Sequence, residues 1–405
     1  MGTSYLFSGM DKGSLVPHLP PLEEPDNMFD RKYLSDIEER VFNDAVELKE
    51  SGTKIVGIFC AFTPKELIAA AGAIPVSLCS GSDRPIAVAE QHLPRNLCPL
   101  VKSSYGHALA DTCPYFHETD FLLADATCDG KKKMFELLNE IRPLHLLQLP
   151  QTAGTEESFQ YWLGELYKAR SLLEERTGNV ITDDALVREI RVYNGLRETL
   201  KEVFELNRGE VPLLYGREIE CITDMAGFEC CLDKRIAEIR AAIDQVKTRE
   251  SDARFLEVMR RKPRILLTGC PTTHKKLLDV VEEAGGVVVT MESCGGLKTV
   301  GFPVRDDIDP MVALARRYLA IPCSCMTPNP DRLRLIREIV EDYKIAGVVE
   351  LTWQGCHTYN IEAFHIQRFV TETCGKAYLQ IETDYSENDT ERIRVRVEAF
   401  LELLN

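Results

Sequence analysis

The sequence predicts an α/β fold in which two doubly wound parallel-sheet domains are joined by a helical bridge. Short apolar segments alternate with amphipathic helical segments before residue 150, and the same alternation resumes after residue 260. The apolar segments are continuous, as is typical of strands that are buried on both faces of a parallel sheet. Between the two regions, residues 155–255 carry long apolar stripes of helical period and almost no strand signal.

Residues 34–150 are predicted to form the N-terminal α/β domain, after an irregular, proline-rich arm over residues 1–33. A helix over 34–49 opens this domain. Its strands are predicted in KIVGIFC, AIPVSLC, FLLADATC and LHLLQLP, and its further helices in TPKELIAAAG, in GKKKMFELLNEI and after RNLCP.

The helical bridge is predicted over residues 151–260, and the C-terminal α/β domain over residues 261–405. The strands of the second domain are predicted in RILLTGC, VVVTMESC, GVVELTWQGC and AYLQIETDYS. Its helices are predicted in HKKLLDVVEEAGG, MVALARRYLA, DRLRLIREIVEDYK and IEAFHIQRFVTETCG, and at the C-terminus. A chain of 405 residues is long enough for two such domains.

Composition excludes several classes of function. A net charge of −16 argues against a nucleic-acid partner, because phosphate binding requires clustered Lys and Arg. The sequence has no run of eighteen apolar residues, so no membrane span is predicted. The first twenty residues lack the layout of a signal peptide, and we therefore expect a cytoplasmic protein.

Fourteen cysteines are unusual for such a chain, and in a reducing compartment they are not expected to form structural disulfides. Five of them end a predicted strand or follow it closely: Cys60, Cys128, Cys270, Cys294 and Cys356. In open α/β sheets this edge is where ligands bind. Glycines beside several of these cysteines would let backbone N–H groups approach a metal cluster. The pattern indicates a metal cluster between the two domains.

The spacing favours iron–sulfur over zinc, although zinc and a metal-free protein both stay open at this point. Zinc sites usually carry paired cysteines, and here only Cys323 and Cys325 form a close pair in a loop. The ferredoxin run of cysteines is also absent. The cysteines in helical contexts are interpreted as packing residues: Cys221, Cys230, Cys231 and Cys374.

Several long segments resemble the 2-hydroxyacyl-CoA dehydratase superfamily, which includes subunits of benzoyl-CoA reductase. They are GIFCAFTPKELIAAAGAIPVSLC, LPRNLCPLVKSSYG, ATCDGKKKMFELL, ELTWQGCHTYNIE and QIETDYSENDTERIRVRVEAFLE. The resemblance covers nearly the whole chain, apart from the arm and parts of the bridge. It implies a [4Fe–4S] cluster held by Cys98, Cys128 and Cys356.

Two more segments, VVVTMESCGGLKT and YLAIPCSCMTPNPDRLR, resemble the double-cubane cluster proteins within that superfamily. This resemblance implies an [8Fe–9S] cluster with six cysteine ligands. The additional ligands would be Cys294, Cys323 and, as the sixth, Cys60. The alternatives for the sixth ligand are Cys113, Cys270 and Cys325, whereas Cys79 is interpreted as structural.

The resemblance also implies a function. The chain would take low-potential electrons from a separate ATP-hydrolysing iron–sulfur activator and reduce a small unsaturated molecule in anaerobic metabolism. It has no G-x-x-x-x-G-K-[ST] loop, which is consistent with an acceptor that does not hydrolyse ATP itself. A homodimer is expected, because a two-fold activator would present matching surfaces. His357 and Lys298 are candidate proton donors.

Three other functions remain open. The first is a dehydratase or acyl-CoA reductase subunit with one [4Fe–4S] cluster and a CoA thioester substrate. The second is a non-catalytic electron-transfer protein, and the third is a metal-free α/β binding protein. The cysteines at positions 294 and 323 speak against the first. The strand-end placement of the cysteines would be unexplained in the third.

Overall fold

The computed structural model describes residues 28–223 and 229–404, so most of the predicted arm over 1–33 lies outside the described residues. The chain forms two four-stranded sheets in which all neighbouring strands are parallel. The predicted α/β fold with two parallel sheets is thereby confirmed. The first sheet has the order β2-β1-β3-β4, with strands Ile55–Phe59 (β1), Ile74–Ser77 (β2), Phe121–Asp125 (β3) and Leu144–Leu147 (β4). The second has the order β6-β5-β7-β8, with strands Arg264–Gly269 (β5), Val287–Glu292 (β6), Gly347–Trp353 (β7) and Ala377–Thr383 (β8).

Helices follow most strands, as the alternation predicts. Before the second sheet they are Arg31–Glu50 (α1), Lys65–Ala70 (α2), Ile86–Ala89 (α3), Pro99–Ala110 (α4), Pro114–His117 (α5), Asp129–Ile141 (α6), Glu156–Thr177 (α7), Asp183–Glu205 (α8), Gly216–Thr223 (α9), Leu232–Lys247 (α10) and Ala253–Arg261 (α11). After its first strand they are Lys276–Glu283 (α12), Leu297–Val300 (α13), Pro310–Leu319 (α14), Pro330–Asp342 (α15), His357–Arg368 (α16) and Thr390–Glu402 (α17). A 3₁₀ turn over Thr248–Ser251 and a π turn over Phe369–Thr373 complete the set.

Burial on both faces explains why the strand segments are continuously apolar. All residues of β1 and β3 are buried. Val56 and Ile58 belong to a core shared with α7 and α14, whereas Ile55 and Phe59 belong to a core shared with α4 and α6. Successive side chains of a strand point to opposite faces, so both faces must be apolar.

The helices between the sheets pack against both of them. Helix α7 contacts β4 and α14, and α8 contacts α2 and α10. Helix α9 lies against β6 so closely that a Cβ atom at Gly216 would come within 2.6 Å of the Val288 side chain. Among residues 28–223 and 229–404, no helix is both long and apolar enough to cross a bilayer.

The carboxyl ends of the two sheets face each other. The Tyr385 hydroxyl, beyond β8, donates to the Ser80 carbonyl, beyond β2, over 3.1 Å. A Cβ atom at Gly81 would lie 1.7 Å from the Thr273 carbonyl oxygen, so only glycine fits this junction. In both sheets the strand order reverses beside the first strand, between β1 and β3 and between β5 and β7. Such reversals open a crevice at the carboxyl edge, and the two crevices therefore meet.

Candidate functional site

A cavity of about 650 Å³ lies where the two carboxyl edges meet. All six cysteines predicted as ligands line it: Cys60, Cys98, Cys128, Cys294, Cys323 and Cys356. Five further cysteines line the same cavity: Cys79, Cys230, Cys231, Cys270 and Cys325. The fold thus gathers sulfur atoms from both halves of the chain at one place.

Three of the cysteines stand directly before helices that begin at the cavity. Cys98, Cys128 and Cys356 are the N-cap residues of α4, α6 and α16, and none of their side chains caps its own helix. The unpaired N–H groups and the positive dipole end of a helix N-terminus favour thiolate over thiol. The helix ends favour thiolate at all three positions, but contact with Cys356 together with burial raises the pKa of Cys98, and burial raises the pKa of Cys128.

The first sulfur group joins α4 to the second sheet. The thiols of Cys270 and Cys98 both interact with the sulfur of Cys356 and hold the pKa of Cys356 well below its usual value. The backbone N–H of Trp353 donates to Cys270 over 3.4 Å. Gly355 lets the segment before Cys356 lie against the segment before Cys98. Its φ of +74° is left-handed, and a Cβ atom would come within 2.6 Å of the Asn96 carbonyl oxygen.

The second group surrounds a buried lysine from the first turn of α6. The Lys131 ammonium donates to the Cys60 sulfur over 2.6 Å and lies 3.9 Å from the Cys79 sulfur. Burial alone would lower the pKa of Lys131, but nearby Cys60, Cys79 and Cys128 raise it well above its usual value. The Asp125 carboxylate, although close by, accepts its hydrogen bonds from Phe62 and Thr63 instead.

The third group is formed by Cys294, Cys323 and Cys325. A hydrogen bond from Cys325 lowers the pKa of Cys323. The positive charge of Lys298 lowers it further, and burial opposes both effects. Lys298 is fully buried in the cavity wall, 2.9 Å from the Glu292 carboxylate, and it donates to the Tyr359 hydroxyl over 2.9 Å. A second cation, Arg332, also pairs with Glu292 at 3.2 Å.

Both predicted proton-donor candidates line the cavity, in different surroundings. Lys298 is held between Glu292 and Tyr359 and has no exposed surface. His357 is exposed at the N-terminus of α16, directly after Cys356. Their roles in proton transfer stay a prediction.

The sulfur atoms around the cavity are not arranged as the ligands of a single metal ion. Within the described ranges, no three Cys, His, Asp or Glu side chains stand around one point as ligands of a single ion do. Instead, the sulfurs occupy several walls of a cavity much larger than one ion. Among the described residues Lys131 makes hydrogen bonds only to sulfur, although the Asp125 carboxylate also acts on its charge, and a buried ammonium is costly unless anions contact it. These features fit a large, negatively charged, sulfur-ligated group.

The structure places three more cysteines at the cavity than the sequence predicts. Cys79, Cys230 and Cys231 are interpreted as structural from the sequence, yet they line the cavity. Cys79 ends the segment AIPVSLC just beyond β2, so the strand-end rule could have found it. The substitute ligand Cys113 packs against the core beneath the first sheet and is not among the lining residues.

Comparison with known proteins gives the family context. Residues 60–404 match the profile of the family described as "2-hydroxyglutaryl-CoA dehydratase, D-component". A provisionally named dehydratase subunit of Escherichia coli (strain K12), YjiM, is 40% identical over 393 residues, which cover 96% of this chain and 100% of that protein. The family match begins at Cys60 and thus includes every strand-end cysteine.

More distant relatives have names that state an activity. The (R)-phenyllactyl-CoA dehydratase beta subunit of Clostridium sporogenes is 22% identical over 365 residues, or 88% of this chain and 93% of its own length. A benzoyl-CoA reductase subunit from Thauera aromatica is 26% identical over 175 residues, or 42% of this chain and 45% of its own. Both names describe subunits of enzymes.

Proposed function

This chain belongs to the 2-hydroxyglutaryl-CoA dehydratase D-component family, and from that premise we propose that it is an iron–sulfur oxidoreductase component. It accepts low-potential electrons from an ATP-hydrolysing iron–sulfur activator and reduces a small unsaturated substrate. The reduction takes place at a double-cubane [8Fe–9S] cluster in the cavity. The protein acts as a cytoplasmic homodimer in anaerobic metabolism.

One observation carries the proposal: eleven cysteines, nine from the two facing sheet domains and two from the start of α10, line a single cavity. A single cubane held by three cysteines leaves most of these sulfurs without a role, whereas two joined cubanes use six. The proposed ligands are Cys60, Cys98, Cys128, Cys294, Cys323 and Cys356. The pairs Cys98–Cys356 and Cys294–Cys323 interact within their groups, which supports two sets of ligands that would each hold one cubane.

The cluster, when bound, supplies low-potential electron storage. The protein contributes charge and exclusion of water around it. Helix N-termini at Cys98, Cys128 and Cys356 face the sulfurs with partial positive charge. Two buried lysines add positive charge at two groups of sulfurs: Lys131, and Lys298, whose charge is partly offset by Glu292. Positive charge beside a cluster stabilises its reduced state.

The principal alternative is a dehydratase or acyl-CoA reductase subunit with one [4Fe–4S] cluster. The names of the relatives favour it, since they describe dehydratase and reductase subunits. In that case Cys98, Cys128 and Cys356 would suffice, and Cys294 and Cys323 would be dispensable. An electron carrier without a substrate is disfavoured, because the cavity extends beyond the cysteines to a wall of polar side chains.

The proposed domain division is residues 34–150, 151–260 and 261–405, after an arm over 1–33. The middle part is proposed as a bridge because its helices contact elements of both sheets.

Metal analysis of protein purified without oxygen tests the proposal. About eight irons per chain are expected for the double cubane, about four for the single cubane, and none would refute both. Cys294→Ser and Cys323→Ser should each lower the iron content. Cys374→Ser is the matched control, because Cys374 lies outside the cavity. Addition of a competent activator with ATP should bleach the visible absorption, and an unchanged spectrum would contradict the acceptor role.

A further inference from the structure

The helical wall of the cavity formed by α8 and the start of α10 holds three buried polar side chains with unsatisfied atoms. Tyr193 on α8 is 2% exposed, Arg235 on α10 is 7% exposed, and the Glu229 side chain before α10 is 6% exposed. Within residues 28–223 and 229–404, the Tyr193 hydroxyl, one Glu229 carboxylate oxygen (Oε2) and one Arg235 nitrogen (Nη1) are buried without a well-formed hydrogen bond. A buried polar atom without a partner destabilises a protein by about 1–3 kcal/mol, and more if it is charged. Three such atoms on one wall indicate a site built for a ligand.

These side chains differ from an ordinary structural ion pair, of which the nearby Arg197 is an example. Arg197, one turn from Tyr193, pairs with Glu66 and also donates to Asn194 and Tyr318. Its charge is therefore satisfied within the protein. Among the described residues the Arg235 guanidinium forms no ion pair, although the carboxylates of Glu238, which pairs with Arg40 at 2.7 Å, and of Glu229 act on its charge.

Glu229 is held in place by its backbone and by one of its two oxygens. Its N–H donates to the Pro75 carbonyl of β2 over 3.0 Å, and its Oε1 accepts from Lys65. The Oε2 atom remains available. Burial and the Glu229 carboxylate, which lies close enough to accept from the Tyr193 hydroxyl, raise the pKa of Tyr193 well above its usual value, so the hydroxyl keeps its proton and is a donor.

The three free atoms present one cationic donor, one anionic acceptor and one hydroxyl. A ligand that carries an anionic acceptor and a cationic donor a short distance apart complements the charges of Arg235 and Glu229, which lie close enough to interact. We propose that Tyr193, Glu229 and Arg235 form a binding subsite for a small zwitterion of the α-amino-acid type. Its carboxylate meets Arg235 and the Tyr193 hydroxyl, and its ammonium meets Glu229 Oε2.

This subsite lines the same cavity as the cysteines. If the zwitterion is the substrate of the proposed reductase, the subsite anchors it beside the sulfurs, and this role rests on the proposed function. The binding of a zwitterion does not depend on that function. A ligand held here would lie between the helical wall and the sulfur-lined edges of the two sheets.

Calorimetry on the full-length protein, purified without oxygen, tests the subsite with three matched probes. L-Alanine carries both charged groups, propionate carries only the carboxylate, and ethylamine carries only the ammonium. L-Alanine should bind at least about tenfold more tightly than either of the others, because a hydrogen bond to a charged group contributes about 1.5–3 kcal/mol. Equal binding of propionate and L-alanine, or no binding of any probe, would overturn the proposal.

Substitutions of the three side chains test which group of the ligand each one contacts. Arg235→Gln should weaken L-alanine and propionate about tenfold, and Glu229→Gln should weaken L-alanine and ethylamine but not propionate. Tyr193→Phe removes one hydroxyl and leaves the ring in place, so it should fold normally while weakening L-alanine. Arg240→Gln, on the exposed side of α10, is the matched control and should bind like the parent. Unchanged affinity in both Glu229→Gln and Tyr193→Phe would refute the assignment.

The iron content of the same samples separates this proposal from the proposed function. Protein with about eight irons that binds no probe would refute the subsite alone. Protein without iron that binds L-alanine selectively would retain the subsite and refute the reductase.

Discussion

The ammonium nitrogen of Lys131 lies 2.6 Å from the sulfur of Cys60. Lys131 is 7% exposed and stands in the first turn of α6, three residues after Cys128. Its two neighbours in sequence, Lys132 and Lys133, instead form ion pairs with Asp129 and Glu136 on the same helix. The triplet Lys131-Lys132-Lys133 therefore contains one lysine that faces sulfur and two that face solvent.

We expect Lys131→Met to make the reduction potential of the bound cluster more negative. Removing one charge-assisted hydrogen bond of about 1.5–3 kcal/mol corresponds to a shift on the order of 65–130 mV. Potentiometric titration followed by visible absorption measures it. Lys133→Met is the matched control and should leave the potential within error of the parent. An equal shift in both variants would show that only the net charge of the protein matters.

Serine substitutions will identify the sixth ligand. If Cys60 is a ligand, Cys60→Ser should lower the iron content by as much as Cys98→Ser does. Cys113→Ser should leave the iron content unchanged, because Cys113 packs against the core outside the cavity. A full iron content in Cys60→Ser, together with a loss in Cys79→Ser, Cys270→Ser or Cys325→Ser, would transfer the role to that residue.

Gly355→Ala should destabilise the junction between the two sheets by more than about 1 kcal/mol. The left-handed φ of Gly355 disfavours any side chain, and a Cβ atom would lie 2.6 Å from the Asn96 carbonyl oxygen. Because Cys98 and Cys356 flank this contact, the variant should also lose iron. Gly295→Ala, beside Cys294 but with open space around its Cα, should be tolerated. Urea unfolding and iron analysis of both variants provide the comparison.

Arg332→Met should destabilise the protein by about 3–5 kcal/mol. Arg332 has no exposed surface and pairs with the buried carboxylates of Glu292 and Glu350, at 3.2 Å and 3.4 Å, and with Glu362. Its loss leaves negative charges buried without a cation. Arg334→Met, on the same helix and 66% exposed, should change the free energy of unfolding by less than about 1 kcal/mol. Similar values for the two variants would contradict a structural role for the buried network.

The stability of the protein should fall as the pH rises toward 7 because of Glu282. Burial raises the pKa of Glu282 to about 7, against the opposing effect of Arg217. The unfolded chain ionises near pH 4.5 and the folded protein near 7, so the unfolded state gains up to about 3 kcal/mol across this window. Glu282→Gln removes this dependence, and its stability relative to the parent should increase from about pH 5 to about pH 8.

Urea unfolding at several pH values measures this difference. Glu283→Gln is the control, since Glu283 is half exposed and pairs with Arg394 at the surface. A constant difference between Glu282→Gln and the parent over the pH range would show that Glu282 is ionised in the folded protein throughout.

Local pattern was enough to predict the fold class and most of the strand ends. A continuous apolar run such as KIVGIFC can be satisfied only by burial on both faces, and β1 is buried along its whole length. Cys60, Cys128, Cys294 and Cys356 follow such runs, and the carboxyl edge of a parallel sheet is a property of each strand and its following helix. These predictions needed no knowledge of contacts between distant residues.

Only the tertiary structure decided which side chains meet. The same strand-end position describes Cys79, but its contact with Lys131, which also donates to Cys60, depends on how the segment after β2 meets the first turn of α6. The helix N-cap position describes both Cys98 and Cys113, yet one faces the cavity and the other the core. The physical reason is that a sequence pattern defines the edge of each sheet separately. The angle at which two edges face each other depends on long-range packing, such as the contact of Gly81 with Thr273.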